Sequence, residues 1–280
     1  MQWRVLGHAT SPGSEVNEDC AGAVGRLAWI MDGASGASRR RTTTGASDAA
    51  WLVGVADAFL RNCTATDVGE VIQTLETYLS ACFRTETEAL DVAENGAPSA
   101  CLAVISVEDV GSGHVKLQGA VVGDVCVFVP SAQGPVRWTD DRPKPFEART
   151  LTALAQSSRD GTAPPEGVFD QIRQNRRSLN QVGGYFAVHP LTPWARFAHR
   201  FEAVVETGCP IVMATDGFLR LTDLFGALSI ESLVAELHNE RHETLIDELR
   251  RLERLDPYAS RYLRVKVHDD ATVLTVVPVT

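Results

Sequence analysis

The chain reads as an α+β fold, a layered sandwich in which helices cover antiparallel sheets. Three observations lead there. Apolar runs of strand length, bounded by turn residues, recur along the 280 residues. Two consecutive helical segments are inserted among them, as layered α+β packing requires. The strict strand–helix alternation and glycine-rich first turn of a doubly wound parallel sheet are missing.

The elements follow in order. Residues 2–8 and 20–31 predict two strands around a loop, Thr10 to Asp19, that carries the turn residues Pro12, Gly13 and Asn17. Residues 46–61 and 67–94 carry helical periodicity. In the second, Val68, Val71, Ile72, Leu75, Leu79, Cys82 and Phe83 recur at helical steps, and Gly96 and Pro98 close it. Strands are expected at 100–107, 114–122 and 125–130, separated by Gly111-Ser112-Gly113 and Gly123-Asp124 as in an antiparallel meander. Residues 131–195 hold seven of the thirteen prolines and no sustained periodicity before Gly183-Gly184-Tyr185. They predict a lid or insertion with some helix rather than a separate core. Strands at 202–206 and 210–215, a helix at 230–254 and strands at 262–267 and 272–278 complete one domain, residues 1–280.

Composition narrows the function classes. A net charge of −10 argues against a nucleic-acid binder, whose footprint is a basic face. The six cysteines (20, 63, 82, 101, 126 and 209) form no CxxC pair and read as free thiols in a reducing compartment. The first residues lack a basic segment followed by an apolar one, and no apolar stretch approaches the ~20 residues of a membrane span. A soluble, cytoplasmic protein is expected, with no membrane or nucleic-acid partner.

The chemistry concentrates where apolar runs stop. Leu27–Met31 ends in Asp32-Gly33, Ile211–Thr215 ends in Asp216-Gly217, and His268-Asp269-Asp270 precedes an apolar run from Ala271. Glu18-Asp19 adds two acids near the start. One Asp-Gly is ordinary turn chemistry. Several acids at strand ends suggest carboxylates gathered around divalent metal, because Mg²⁺ and Mn²⁺ take oxygen ligands. Asp32 suits a bridging role, since Gly33 lets the backbone approach an ion closely. Asp216 and Asp269 would complete one ion, with Glu18 and Asp19 reaching a second through water. Two ions ~3.5–4 Å apart activate a shared water and clamp the oxygens of an in-line displacement, which describes phosphate-ester hydrolysis. No HExxH or GxSxG motif offers zinc-protease or serine-nucleophile chemistry instead.

In order and across essentially the whole chain, these motifs resemble the metal-dependent protein phosphatases of type 2C (the PPM family), in a bacterial-type form. The family's opening Glu-Asp is matched by Asn17-Glu18-Asp19, its Asp-Gly-x-x-Gly by Asp32-Gly33-Ala34-Ser35-Gly36, and its Thr-Asp-Gly by Thr215-Asp216-Gly217. Its Asp-Asn/Asp-x-Thr-Val ending is matched by Asp269-Asp270-Ala271-Thr272-Val273, and its Gly-Asp-Ser-Arg turn by Gly123-Asp124 only. The resemblance implies an α-β-β-α sandwich of two antiparallel sheets flanked by helices. It implies two Mn²⁺ or Mg²⁺ ions bridged by Asp32, with the Gly33 carbonyl, Asp216 and Asp269 as ligands. Glu18 and Asp19 would hold waters and share the catalytic role with Asp32, and Asp124 matches the acid of a third, weaker ion. A hydroxide bridging the two ions would attack phosphorus directly. The implied substrate is phosphoserine or phosphothreonine in a protein.

The chain departs from the family where phosphate is bound. The family's phosphate-binding Arg falls on Ser14, and Val125-Cys126 replaces Ser-Arg. Arg39 and Arg40, in the run that ends at Arg41, are the candidate replacements, with His8 a further one. A smaller phosphomonoester is the alternative substrate. A pseudophosphatase, a metal-binding regulatory module without turnover, is the alternative function.

Overall fold

The computed structural model describes residues 1–36, 41–88, 90–157 and 164–279. The chain opens with β1 (Gln2–Ser11), β2 (Asp19–Val24) and β3 (Leu27–Ala34), followed by helices α1 (Asp48–Asn62) and α2 (Val68–Glu86). Then come β4 (Ser99–Gly111), β5 (His114–Val122), β6 (Cys126–Val129), β7 (Val136–Trp138), α3 (Lys144–Ala155) and α4 (Glu166–Arg176). The last third holds β8 (His199–Glu206), β9 (Ile211–Ala214), α5 (Asp216–Asp223), α6 (Ile230–His238), α7 (His242–Arg254) and β10 (Ala271–Val279).

The strands build two five-stranded sheets, β1-β10-β9-β6-β7 and β2-β3-β4-β5-β8. Every pairing is antiparallel. The sheets face each other across a seam of Trp3, Ile30, Ile105, Leu117, Val127, Met213 and Val276. On the outer face of the second sheet, α1 and α2 pack Leu52, Ile72 and Leu75 against Trp29, Met31 and Val104. On the outer face of the first, α5, α6 and α7 pack Phe218, Leu237 and Leu249 against Phe128, Val212 and Val273. The result is the α-β-β-α sandwich. It also explains the unbroken apolar run of β3: Ala28 and Ile30 enter the seam while Trp29 and Met31 meet the helices, so both faces exclude water.

Helix starts follow local chemistry. Ser47 caps α1 by accepting from the Ala50 N–H, and Asp67 caps α2 by accepting from the Glu70 N–H. Asp48 holds the approach to α1, accepting from the backbone and hydroxyl groups of Thr42 and Thr43.

Four boundaries differ from the sequence reading. The run 20–31 is two strands, because Gly25 (φ +56°) turns the chain between β2 and β3. The strand expected at 125–130 does not extend a meander: β6 leaves for the opposite sheet and pairs β9 and β7. Gly123 makes that crossing at φ +80°, and a Cβ there would lie 2.3 Å from the Cys101 sulfur. The helix 230–254 is two helices broken at Asn239–Arg241, where Glu240 sits at φ +60°; both bury their apolar faces in one layer, so the periodicity runs through. Residues 262–267 are a loop, organised by Asp256, which accepts from the Ser260, Arg261 and Tyr262 backbone and pairs with buried Arg264. Helix α5, whose first residues are the Asp-Gly motif, has no counterpart in the sequence reading.

Residues 131–195 contribute β7 to the first sheet and the paired helices α3 and α4, where Asn175 donates to the Phe146 carbonyl and to Thr150. Buried His189 ties the following loop: its Nε2 donates to the Glu94 carbonyl and its Nδ1 accepts from the Leu191 and Thr192 N–H groups. Protonating Nδ1 breaks both latter bonds, and burial pushes the imidazole down to about 4. A depressed basic group favours the fold above its unfolded pKa of about 6.5, and that contribution is lost as pH falls from there toward 4. Acid should therefore cost up to about 3 kcal/mol through this one group. Denaturant midpoints of the wild type and His189→Asn, compared between pH 7 and 4.5, check it; parallel pH profiles would remove His189 from the account.

All six cysteines are free. Among the described residues no helix is long and apolar enough to cross a membrane.

Candidate metal-dependent active site

The register of the sheets places the acids at one end of the seam. Asp19 stands directly across from Asp32 in the β2–β3 pair, a cross-strand juxtaposition that sets two like charges side by side. Asp124 lies on the crossing from β5 to β6, Asp216 opens α5 just after β9, and Asp269 lies two residues before β10. Asp32, Gly33, Asp124, Asp216 and Asp269 line one cleft of about 290 Å³, with Asp19 buried behind them.

Close approaches hold this floor. The Gly33 N–H donates to the Glu18 carbonyl at 3.0 Å, and a Cβ on Gly33 would meet that oxygen at 2.5 Å. The Thr215 hydroxyl donates to Asp19 Oδ2 at 3.0 Å, and the same hydroxyl oxygen accepts from the Thr272 N–H. The two carboxylate oxygens of Asp270 accept from the Gly13 and Glu18 N–H groups and tie the loop before β2 to β10. Glu18 turns to α1, where Oε1 accepts from Ser35 and Ser47.

The electrostatics are one-sided. Burial, reinforced by the charges of Asp19, Asp216, Asp124 and Asp269, drives Asp32 well above the usual carboxylate range. Asp19 is raised for the same first reason, with Asp270 and Asp216 adding to it. Water reaches Asp216 in the cleft, yet the surrounding protein and the charges of Asp124 and Asp269 push it up to about 6. Glu147 of α3 joins this group: crowding around its carboxyl and the adjacent Asp124 push it up to about 8.

Behind Asp269 stands a basic brace. Arg220 donates to Asp269 Oδ2 and Lys266 to Oδ1, both at 2.7 Å. Arg220 also pairs with Glu253, which is fully buried and accepts from Arg250 at 2.6 Å and lies 2.8 Å from His268 Nδ1. Arg250 reaches on to the carbonyls of Ser11 and Asp269. His268 is thus part of the brace rather than of the cleft.

The donor set suits hard divalent cations. The acids around the cleft offer only oxygen, and the buried Asp19 Oδ1 has no hydrogen-bond partner. Clustered carboxylates with so little countercharge call for cations or protons. Among the described residues no three His, Cys, Asp or Glu side chains already converge as a closed cage. Asp269 is held by Arg220 and Lys266, and Glu18 by its serine partners.

Among the described residues, His8 and Arg41 do not line the cleft. Arg39 and Arg40 lie outside the described residues. Arg41 donates to the Ala46 carbonyl at the surface, and His8 faces α7 near Glu243. Ser14 is exposed and donates to the Val16 carbonyl. Among the described residues the cations lining the cleft are Lys266 and Arg176, the latter from the end of α4. The sequence reading missed Arg176, Glu147, Lys266 and the Arg220–Glu253 pair. Arg176, Glu147 and the Arg220–Glu253 pair meet their partners only through the fold, whereas Lys266 pairs with Asp269 three residues on.

No protein-family model matches the sequence, and no curated protein matches it. Solved structures do. The Mycobacterium tuberculosis serine/threonine phosphatase PstP/Ppp is 15% identical, with all of both chains covered and a TM-score of 0.57. The catalytic domain of PstP in complex with two manganese ions is 16% identical, with 99% of this chain and 98% of that one covered and a TM-score of 0.56. The PPM Ser-Thr phosphatase MsPP from Mycobacterium smegmatis, in complex with cacodylate, is 17% identical, with 98% and 99% covered and a TM-score of 0.52. With two five-stranded antiparallel sheets between helical layers, the chain has the fold of the bacterial PPM-type serine/threonine phosphatases.

Proposed function

We propose that the protein is a divalent-metal-dependent phosphatase acting on phosphate monoesters, with phosphoserine or phosphothreonine in cytoplasmic proteins as the substrate class. One observation carries this reading: Asp32, Asp124, Asp216 and Asp269, remote in sequence, line a single cleft over buried Asp19. The fold it shares with PPM phosphatases, one of them solved with two manganese ions, supports it.

Asp32 and the Gly33 backbone, with Asp216 and Asp269, would hold one ion, and Asp32 would share a second with waters held by Asp19 and Glu18. Asp124 would serve a third. When bound, the ions supply an activated water and offset the negative charge of the phosphoryl oxygens. The chain's own residues set the geometry. Thr215 orients Asp19, the Arg220–Glu253 brace orients Asp269, and Asp270 pins the loop that carries Glu18. Residues 131–195 act as the lid of this reading, since Phe146, Glu147, Ile172 and Tyr185 wall the cleft and select what enters.

A regulatory module without turnover is the second reading. The observation in its favour is that both oxygens of Asp269 are already engaged by cationic side chains. Hydrolysis of p-nitrophenyl phosphate by purified protein, with Mn²⁺ and with EDTA, separates the two. Mn²⁺-dependent release is expected; no turnover despite calorimetric Mn²⁺ binding would select the module.

A further inference from the structure

We infer that Arg176 is the phosphate clamp of this cleft, arriving from α4 in place of the arginine that the loop before β2 lacks at Ser14. The inference takes the chemistry of its ligand, a phosphate dianion, from the phosphatase reading above.

Arg176 is only 8% exposed. Arginines so buried are normally matched by a carboxylate, because an uncompensated interior charge is costly. Among the described residues none bonds it. Its partners are neutral: Nη1 donates to the Ala97 carbonyl at 3.3 Å, and Nη2 to the Ala34 carbonyl at 3.1 Å and to Ser99 Oγ at 3.0 Å. Three of the five N–H donors of a guanidinium are thereby used, which leaves two for a ligand.

Its position suits that use. Ala34 follows Asp32-Gly33 directly, so the guanidinium is anchored to the end of β3 that carries the central acid, and it lines the same cleft as Asp32, Asp216 and Asp269. The other cleft cation, Lys266, is engaged by Asp269 at 2.7 Å. Arg176 is thus a fixed cation with no carboxylate bonded to it, beside an acidic centre that an anion can enter only with help. A phosphoryl group placed between them would give the guanidinium a bonded anion, through single charge-assisted N–H···O bonds from Nε or the remaining Nη1 hydrogen.

The test is calorimetric binding of inorganic phosphate to the Mn²⁺-loaded wild type, Arg176→Gln and Arg176→Lys, with Mn²⁺ affinity measured in each. Phosphate binding should weaken about 10- to 100-fold in Arg176→Gln, the worth of a charged hydrogen-bond pair, and less in Arg176→Lys. Mn²⁺ affinity should stay unchanged. Adding Ser14→Arg to Arg176→Gln should restore part of the loss. Phosphate affinity unchanged in both variants, or lost only together with Mn²⁺ affinity, would overturn the inference and leave Arg176 a brace for the Ala34 carbonyl. The two readings fail separately. Turnover of p-nitrophenyl phosphate with KM and phosphate affinity indifferent to Arg176 keeps the phosphatase and removes the clamp. Arg176-dependent phosphate binding without turnover keeps the clamp and removes the enzyme.

Discussion

Asp32→Asn should eliminate Mn²⁺-dependent hydrolysis, by at least about a hundredfold, and should at the same time make the metal-free protein more resistant to heat. The first effect is the usual cost of deleting one preorganised charged group from a reaction centre. The second follows from the crowd around it. Asp32 faces Asp19 across the β2–β3 pair and shares its cleft with Asp124, Asp216 and Asp269, so the metal-free fold holds like charges together that the unfolded chain disperses. A neutral amide of the same shape relieves that repulsion. The stabilisation that Mn²⁺ adds, which grows with metal concentration over its dissociation constant, should shrink in the variant. Melting curves in EDTA and in excess Mn²⁺ therefore move in opposite directions relative to wild type. Wild-type turnover in Asp32→Asn would sink the functional assignment, and an unchanged Mn²⁺-induced shift would remove Asp32 from the ligand set.

Replacing Glu253 with alanine should be the most destabilising single change near the site, at about 3–5 kcal/mol. Glu253 is fully buried and is shared by Arg220, Arg250 and His268. Without it, two guanidiniums that are only 12% and 11% exposed lose their common anion. Asp269 would then be the carboxylate left to Arg220, so Mn²⁺ should also bind more weakly as the guanidinium competes for it. A second substitution, Arg220→Gln, should recover part of the stability, because the pair is coupled. Urea midpoints for the two single variants and the double variant measure this directly. Additive effects, or a Glu253→Ala loss below about 1 kcal/mol, would show that the buried brace contributes nothing as a unit.

Both predictions show what a linear reading can reach. Asp32 and Asp216 were visible because each ends an apolar run and Asp269 because it stands just before one, and a strand buried on both faces leaves its end as the place for a polar group. Glu253 and Arg220 were not visible. They lie on surface-patterned helices, and what makes them matter is burial against partners contributed by β10's approach and by each other. Helices α6 and α7 merged in the sequence for a related reason: periodicity reports which face is apolar, and two helices that cover the same sheet share one face. A meander was expected to continue past Gly123-Asp124 because a Gly-Asp pair between strands says nothing about which sheet the next strand joins.

By itself, then, the sequence determined the alternation of buried strands and amphipathic helices, the α+β class and the acids that end the strands. These are local quantities, set by hydrophobic period and turn chemistry. Only the tertiary structure decided that β6 crosses to the opposite sheet, that Asp19 lies across from Asp32, and that Arg176 and Glu147 reach the cleft from a segment more than a hundred residues away from Asp32. Strand register, helix docking and the neutralisation of buried charge depend on partners far apart in the chain, and their energies exist only once the two sheets have closed over one another.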